Sequence, residues 1–294
     1  MMQSKQAVGM IGIGLMGQGI AKNIVKGGYP FALLDHPGNQ PIAELTAAGA
    51  RVCRTPAEAA AQADIVVLCV TGAPQVETVL TGDHGVLQGI KPGAIVVDCS
   101  TSLPDTSVRM AAALKTKGAE FLDAAMTKLP QHAQAGTLNL LCGGDAQVLA
   151  RVRPLLETFS ESITHVGPVG AGHRVKLLHN TVSIGFMSLL AEVGAHAQQA
   201  GVDPAILVDV LDQGGGGGAA LQRMTPFLTR GDASNVPFFI SNAAKDLGYY
   251  CDMAASAERY RAMAEAVRKT LHDAVADGHG GDYVPQLAAW LRTR

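Results

Sequence analysis

From Ala7 to about His165, short runs of apolar, β-prone residues alternate with stretches of helical periodicity. The runs Ala7–Ile13, Phe31–Leu34, Asp64–Val70, Ala94–Cys99, Glu120–Asp123 and Thr137–Cys142 read as strands. Runs that are apolar on both faces and separated by helices predict an α/β domain with a parallel sheet covered on two sides. The pattern changes after Gly172. Val175, Leu178, Val182, Phe186, Leu189 and Val193 recur at steps of three or four, so residues 173–200 read as one long helix. At about 1.5 Å per residue it would span roughly 40 Å, enough to cross between domains. Gly201 ends it, and Asp203-Pro204 opens another helix with a carboxylate cap and proline at the first helical position. No strand signal of weight follows. The expected organisation is therefore an α/β N-terminal domain over residues 1–166 and an all-α C-terminal domain over residues 167–294, joined by a long interdomain helix. The glycine run Gly214–Gly218 is the one low-complexity segment and reads as a flexible or tightly approached loop.

Composition fits two cores: of 294 residues, 48% are hydrophobic and 16% charged. A net charge of -2 gives no global attraction to nucleic acid or to an anionic membrane, so any anion is held locally and the partner is a small molecule. The five cysteines form no C-x-x-C pair, and three lie inside strand-like runs, as reduced thiols of a cytoplasmic protein would. No signal-peptide pattern opens the chain, and no window reaches the ~18 apolar residues of a membrane span. The histidines show no metal-ligand spacing.

The first apolar run leads into Gly12-Ile13-Gly14-Leu15-Met16-Gly17, and a helical pattern follows at once. Glycines there permit a tight turn and let the backbone approach a pyrophosphate at the positive end of a helix. The strand before, the helix after and Asp35 at the end of the second strand supply the context of a Rossmann-like dinucleotide site. Asp35 would accept hydrogen bonds from the adenosine ribose and repel a 2′-phosphate. His36-Pro37-Gly38-Asn39 contains no Arg or Lys to hold such a phosphate, so NAD is expected rather than NADP.

Four segments read together resemble the β-hydroxyacid dehydrogenase family, of the 3-hydroxyisobutyrate dehydrogenase kind. The glycine turn with Met16 before its last glycine is one. Asp98-Cys99-Ser100-Thr101-Ser102-Leu103-Pro104 is similar to the family's D-x-S-T-x-x-P loop, which in relatives lies by the nicotinamide. Gly170-Ala171-Gly172-His173-Arg174-Val175-Lys176-Leu177-Leu178-His179-Asn180 resembles its G-x-G-x-x-x-K-x-x-N-N signature, and Lys245-Asp246-Leu247 its K-D-L element. The resemblance implies a Rossmann-like domain, a helical second domain, and a homodimer or homotetramer. It also implies a cofactor set completed by Val70, Thr71, Ser100, Thr101 and Lys245.

Lys176 and Asn180 are four apart on the long helix, with His173 and His179 near the same side, a polar patch suited to a cleft. Reducing a carbonyl by hydride transfer builds negative charge on oxygen, which needs a donor able to deliver a proton. Lys176 can do both, and Lys245, if close, would lower its pKa by like-charge repulsion. Asn180 would hold the substrate by its amide. His179, standing where the family has its first Asn, is a substrate contact or a packing residue. The family's D-A-P-V-S-G-G segment is here Asp123-Ala124-Ala125-Met126-Thr127-Lys128-Leu129. Thr127 keeps a hydroxyl, both glycines are gone, and Lys128 adds a cation. The sulfolactaldehyde reductase branch is similar in placing a basic residue here, which implies a small substrate whose anionic end, carboxylate or sulfonate, meets Thr127 and Lys128. Two other readings remain: a catalytically silent dinucleotide-binding scaffold, and an imine reductase on the same architecture.

Overall fold

The computed structural model describes residues 5–294. The elements run β1 (Val8–Ile11), α1 (Leu15–Lys26), β2 (Phe31–Leu34), α2 (Ala43–Ala47), β3 (Arg51–Cys53), α3 (Pro56–Ala61), β4 (Ile65–Leu68), α4 (Ala73–Thr81), α5 (Val86–Gly89), β5 (Ile95–Asp98), α6 (Pro104–Lys115), β6 (Glu120–Thr127), α7 (Pro130–Ala135), β7 (Leu138–Gly143), α8 (Ala146–Leu156), β8 (Ser160–Gly167) and α9 (Ala171–Gln199). Five helices follow: α10 (Pro204–Gln213), α11 (Ala219–Arg230), α12 (Ile240–Ser256), α13 (Ala262–Ala276) and α14 (Leu287–Leu291). Two compact units divide within α9, residues up to Lys176 forming one and Leu177–Arg294 the other.

The first unit is a single eight-stranded sheet in the order β3-β2-β1-β4-β5-β6-β7-β8. All neighbours pair in parallel except β6 and β7. The link from Lys128 to Thr137 is shorter than the dozen or so residues that a parallel crossover needs, so β7 returns antiparallel. Strand alternation sends residues into two cores. Val8, Met10, Ile65 and Val67 face Ile20 and Ile24 of α1 with Val152, Leu155 and Phe159. Ile11, Val66 and Leu68 face Ala59, Ala60, Val76, Leu80 and Leu114 on the other side.

Two strands are absent from the hydrophobic pattern. β3 is three residues long with two exposed, and β8 is mostly polar and exposed, so neither presents an apolar run. Beyond β8 the regular elements are helical, with two short 3-10 turns and one isolated bridge between Phe239 and Tyr283. Asp203 caps α10 by accepting from Ala205 N, as expected from its sequence. The glycine run joins α10 to α11, and added Cβ atoms on Gly216 and Gly217 would lie 2.7 Å from Leu211 and 2.9 Å from Asp212. Among the described residues no helix is long and apolar enough to cross a membrane.

Candidate active site

The turn between β1 and α1 gives its three glycines three different tasks. Gly12 has φ +98°, and a Cβ on it would stand 2.2 Å from the Cys69 carbonyl oxygen, so only glycine closes this turn. A Cβ on Gly17 would stand 2.0 Å from the Gly12 oxygen, which makes it the packing glycine between helix and strand. Gly14 has nothing within 4 Å of its Cβ position, which leaves room for a ligand to come against the backbone. Gly14 is also the cap of α1 and gives it no side-chain hydrogen bond, so the first N–H groups of that helix suit an anion. Ile13 is buried, Leu15 exposed, and Met16 packs on the core beneath the turn. These features fit a dinucleotide pyrophosphate.

The turn lies at the carboxyl end of β1, between β2 and β4, where the strand order reverses and where open α/β sheets bind ligands. Asp35, exposed just past β2, donates its N–H to Cys53 O at 2.8 Å. Asn39 and Gln40 stitch this loop to β2 and the glycine turn: Asn39 Nδ2 donates to Leu34 O at 2.9 Å, Asn39 Oδ1 accepts from Ile13 N at 3.4 Å, and Gln40 N donates to Ile13 O at 2.7 Å. At the ends of β4 and β5, Val70 N donates to Ser100 Oγ at 3.0 Å, and Ser100 N donates to Asp98 Oδ1 at 2.9 Å. Val70, Thr71, Ser100 and Thr101 thus stand on one sheet edge with Gly12, Thr71 being exposed and Thr101 half-buried.

The start of α9 is anchored to the same edge by Asp123 and by His173, which the sequence spacing assigns to a polar patch suited to a cleft and which the structure instead buries. Asp123 of β6 accepts from Gly170 N at 2.7 Å and from His173 N at 2.9 Å, capping the helix. Burial pushes its carboxyl above the ordinary value, and His173 and the two N–H groups partly offset this. His173 is fully buried, with Nδ1 2.6 Å from Ser107 Oγ and Nε2 3.1 Å from Ser100 O. Their signal is present in the sequence only as polar residues at positions that the fold turns inward. Lys176 stands half-buried one turn further along α9.

In the second unit, Asn180 is buried; its Nδ2 donates to Asp246 Oδ2 at 2.6 Å, and its Oδ1 lies 3.0 Å from Nδ1 of the exposed His179. Lys245 Nζ is 2.9 Å from Asp246 Oδ1, paired with it by charge but not aligned as a hydrogen bond. Asp246 is therefore the residue joining Asn180 to Lys245, and the K-D-L element contains it. Thr127 is buried at the end of β6. Lys128 adopts φ +79°, the left-handed conformation that glycine favours, so this turn keeps a glycine-type backbone without the glycine. The Lys128 ammonium donates to Thr137 O at 2.8 Å and pairs with Glu161. Burial pushes the Cys69 and Cys142 thiols up to about 12, so neither offers a thiolate nucleophile. No group of three His, Cys, Asp or Glu among the described residues is arranged to hold a metal.

Residues 7–167 match the NAD binding domain of 6-phosphogluconate dehydrogenase, and residues 170–290 match the NAD-binding domain of NADP-dependent 3-hydroxyisobutyrate dehydrogenase. The chain belongs to the β-hydroxyacid dehydrogenase family. This β-hydroxyacid dehydrogenase is an NAD-binding oxidoreductase acting on a CH–OH group. It is similar to the NAD-dependent L-serine dehydrogenase of Pseudomonas aeruginosa, 33% identical over 82% of this chain and 83% of that protein. The 3-sulfolactaldehyde reductase of Escherichia coli is 29% identical over 93% of this chain and 92% of its own length. Among solved structures, the 3-hydroxyisobutyrate dehydrogenase of Mycobacterium tuberculosis, in a structure with L-serine, has a TM-score of 0.87 at 26% identity and covers 98% of this chain and 99% of its own. An imine reductase from Pseudomonas sp., at 18% identity and a TM-score of 0.60, shares the fold alone.

Proposed function

We propose that this β-hydroxyacid dehydrogenase interconverts a small anionic 3-hydroxyacid and its semialdehyde, with Lys176 as general acid and base. NAD, when bound, accepts or returns the hydride. The observation that carries the reading is the clustering of Gly12, Val70, Ser100 and the first turn of α9 on one edge of the sheet. The same edge thus carries the glycine turn and the first turn of α9, with Lys176 in the turn that follows. Gly12 to Gly17 would hold the pyrophosphate, Asp35 the adenosine ribose, and Val70, Thr71, Ser100, Thr101 and Lys245 the remainder of the cofactor. In this assignment residues 1–166 serve the dinucleotide, and residues 167–294 serve substrate and assembly.

Lys176 donates a proton to the carbonyl oxygen in reduction and takes it from the hydroxyl in oxidation. Asn180, with one amide N–H on Asp246, has a second N–H to offer the substrate. Thr127 and Lys128 hold the acidic end, carboxylate or sulfonate, with the substrate anion displacing Glu161 from the lysine. His179 is a further substrate contact in this assignment.

The test is a panel of short hydroxyacids and semialdehydes with carboxylate, sulfonate and phosphate ends, read by NADH absorbance. Lys176→Ala, assayed on the best member, should bind NADH normally and lose roughly two to four orders of magnitude in turnover. Normal turnover by this variant would refute the acid–base assignment. A panel without any substrate would refute the substrate class.

A further inference from the structure

We propose that His173 is a positioning residue whose buried imidazole locks the Lys176-bearing turn of α9 to the Ser100–Pro104 loop. The inference rests on the acid–base reading of Lys176 and adds what fixes that lysine in place.

The chemistry of the imidazole's neighbours sets its proton. Ser100 O, a carbonyl, can only accept, so Nε2 carries the hydrogen and donates across 3.1 Å. Nδ1 then accepts from the Ser107 hydroxyl at 2.6 Å. The backbone N–H of the same residue donates to Asp123 Oδ2 at 2.9 Å. One residue therefore ties together the loop after β5, the second turn of α6, the middle of β6 and the first turn of α9. Asp98 faces it as well: its Oδ2, buried and without a hydrogen-bond partner, lies 3.9 Å from Nε2.

A site that needed only packing would be filled by an aliphatic side chain, because burying imidazole nitrogens is costly unless both are satisfied. Here both are, by partners on two separate segments. The geometry specifies a direction as well as a volume. His173 and Lys176 are three residues apart, about 4.5 Å along the axis and on neighbouring lines of the helix. A rotation or slide of this turn would move the ammonium directly, and misplacement by about 1 Å can cost about a hundredfold in rate.

The experiment compares His173→Leu with His173→Gln in the full chain, using the best substrate of the panel above. Gln can offer an N–H to Ser100 O and an oxygen to Ser107. The expected result is a folded Leu variant with NADH affinity within about twofold of the parent and kcat down roughly tenfold to hundredfold. KM should change little, and Gln should restore most of kcat. Unchanged kcat in the Leu variant would overturn the proposal, as would equal losses in both variants that track a fall in Tm. Should the Leu variant fail to fold, Ser107→Ala serves in its place, with a severalfold loss in kcat expected and none overturning the idea.

A readout independent of turnover is the imidazole nitrogen NMR signal that disappears in His173→Gln. It should show the Nε2–H tautomer, with Nδ1 as the acceptor. An Nδ1–H tautomer would overturn the assignment. Lys176→Ala, run in parallel, separates the two ideas: if that variant keeps full turnover, the acid–base reading fails whatever His173 does.

Discussion

At the scale of single residues, Lys128 poses the sharpest choice. A non-glycine side chain in the left-handed region costs roughly 1–2 kcal/mol, and Lys128 sits there at φ +79°. Its ammonium is held by Thr137 O and Glu161, so the strained turn has a tether of its own. A half-exposed ion pair of this kind contributes little to stability, about 1 kcal/mol or less, which leaves the cation exchangeable for a substrate anion. A charge-assisted hydrogen bond to that anion would be worth about 1.5–3 kcal/mol. Lys128→Ala should then raise KM for the anionic substrate roughly tenfold to hundredfold, with a smaller loss in kcat and unchanged NADH affinity. Steady-state kinetics with both variant and parent decide it. An unchanged KM would leave Lys128 as a tether between β6 and the Glu161 strand and nothing more.

At the scale of elements, the start of α9 depends on one carboxylate. Asp123→Ala would strip the acceptor from two buried N–H groups, those of Gly170 and His173. Each orphaned donor costs about 1–3 kcal/mol, so a loss of about 2 kcal/mol or more is expected, or roughly 4 °C or more in Tm. Burial holds the Asp123 carboxyl above its ordinary 3.8. The folded protein then keeps this proton to higher pH than the unfolded chain does. The group's contribution is full below the unfolded pKa and is lost as pH rises through the folded one. Asp123→Asn should flatten that slope in a series of melting curves across acid pH, and a slope identical to the parent's would contradict the origin assigned to it. This cap also illustrates what the sequence pattern reveals. The glycine turn, the long helix and the six apolar strands are legible because each follows from local spacing. β3 and β8 are not, since a short edge strand and a polar one carry no apolar run. The tasks of Asp123, His173 and Asp246 stay hidden for a related reason. Each is a polar residue whose partners lie far away in sequence, so only the tertiary fold reveals what it bonds.

At the scale of the whole molecule, the surface of the second unit calls for a partner. Leu178, Val182, Leu189 and Val193 of α9 are 48%, 73%, 56% and 37% exposed. Advancing about 100° per residue, these four positions fall within roughly 60° of one another, so they form one stripe along the helix. On α10, Ile206 and Val210 are 61% and 62% exposed and one turn apart. Scattered apolar residues on a surface need no explanation, but rows at helical spacing mark a contact face. The family resemblance implies homo-oligomers, and a stripe on a long helix suits a two-fold contact in which each copy offers the same residues to the other. The protein should therefore run in light-scattering chromatography at twice or four times the chain mass. Val182→Glu together with Leu189→Glu would bring like charges together across such an axis and bury them without partners, a penalty of several kcal/mol. The double variant should shift to smaller species while keeping its helical circular dichroism. A monomeric parent, or a double variant with unchanged mass, would show that this stripe is not where copies of the chain meet.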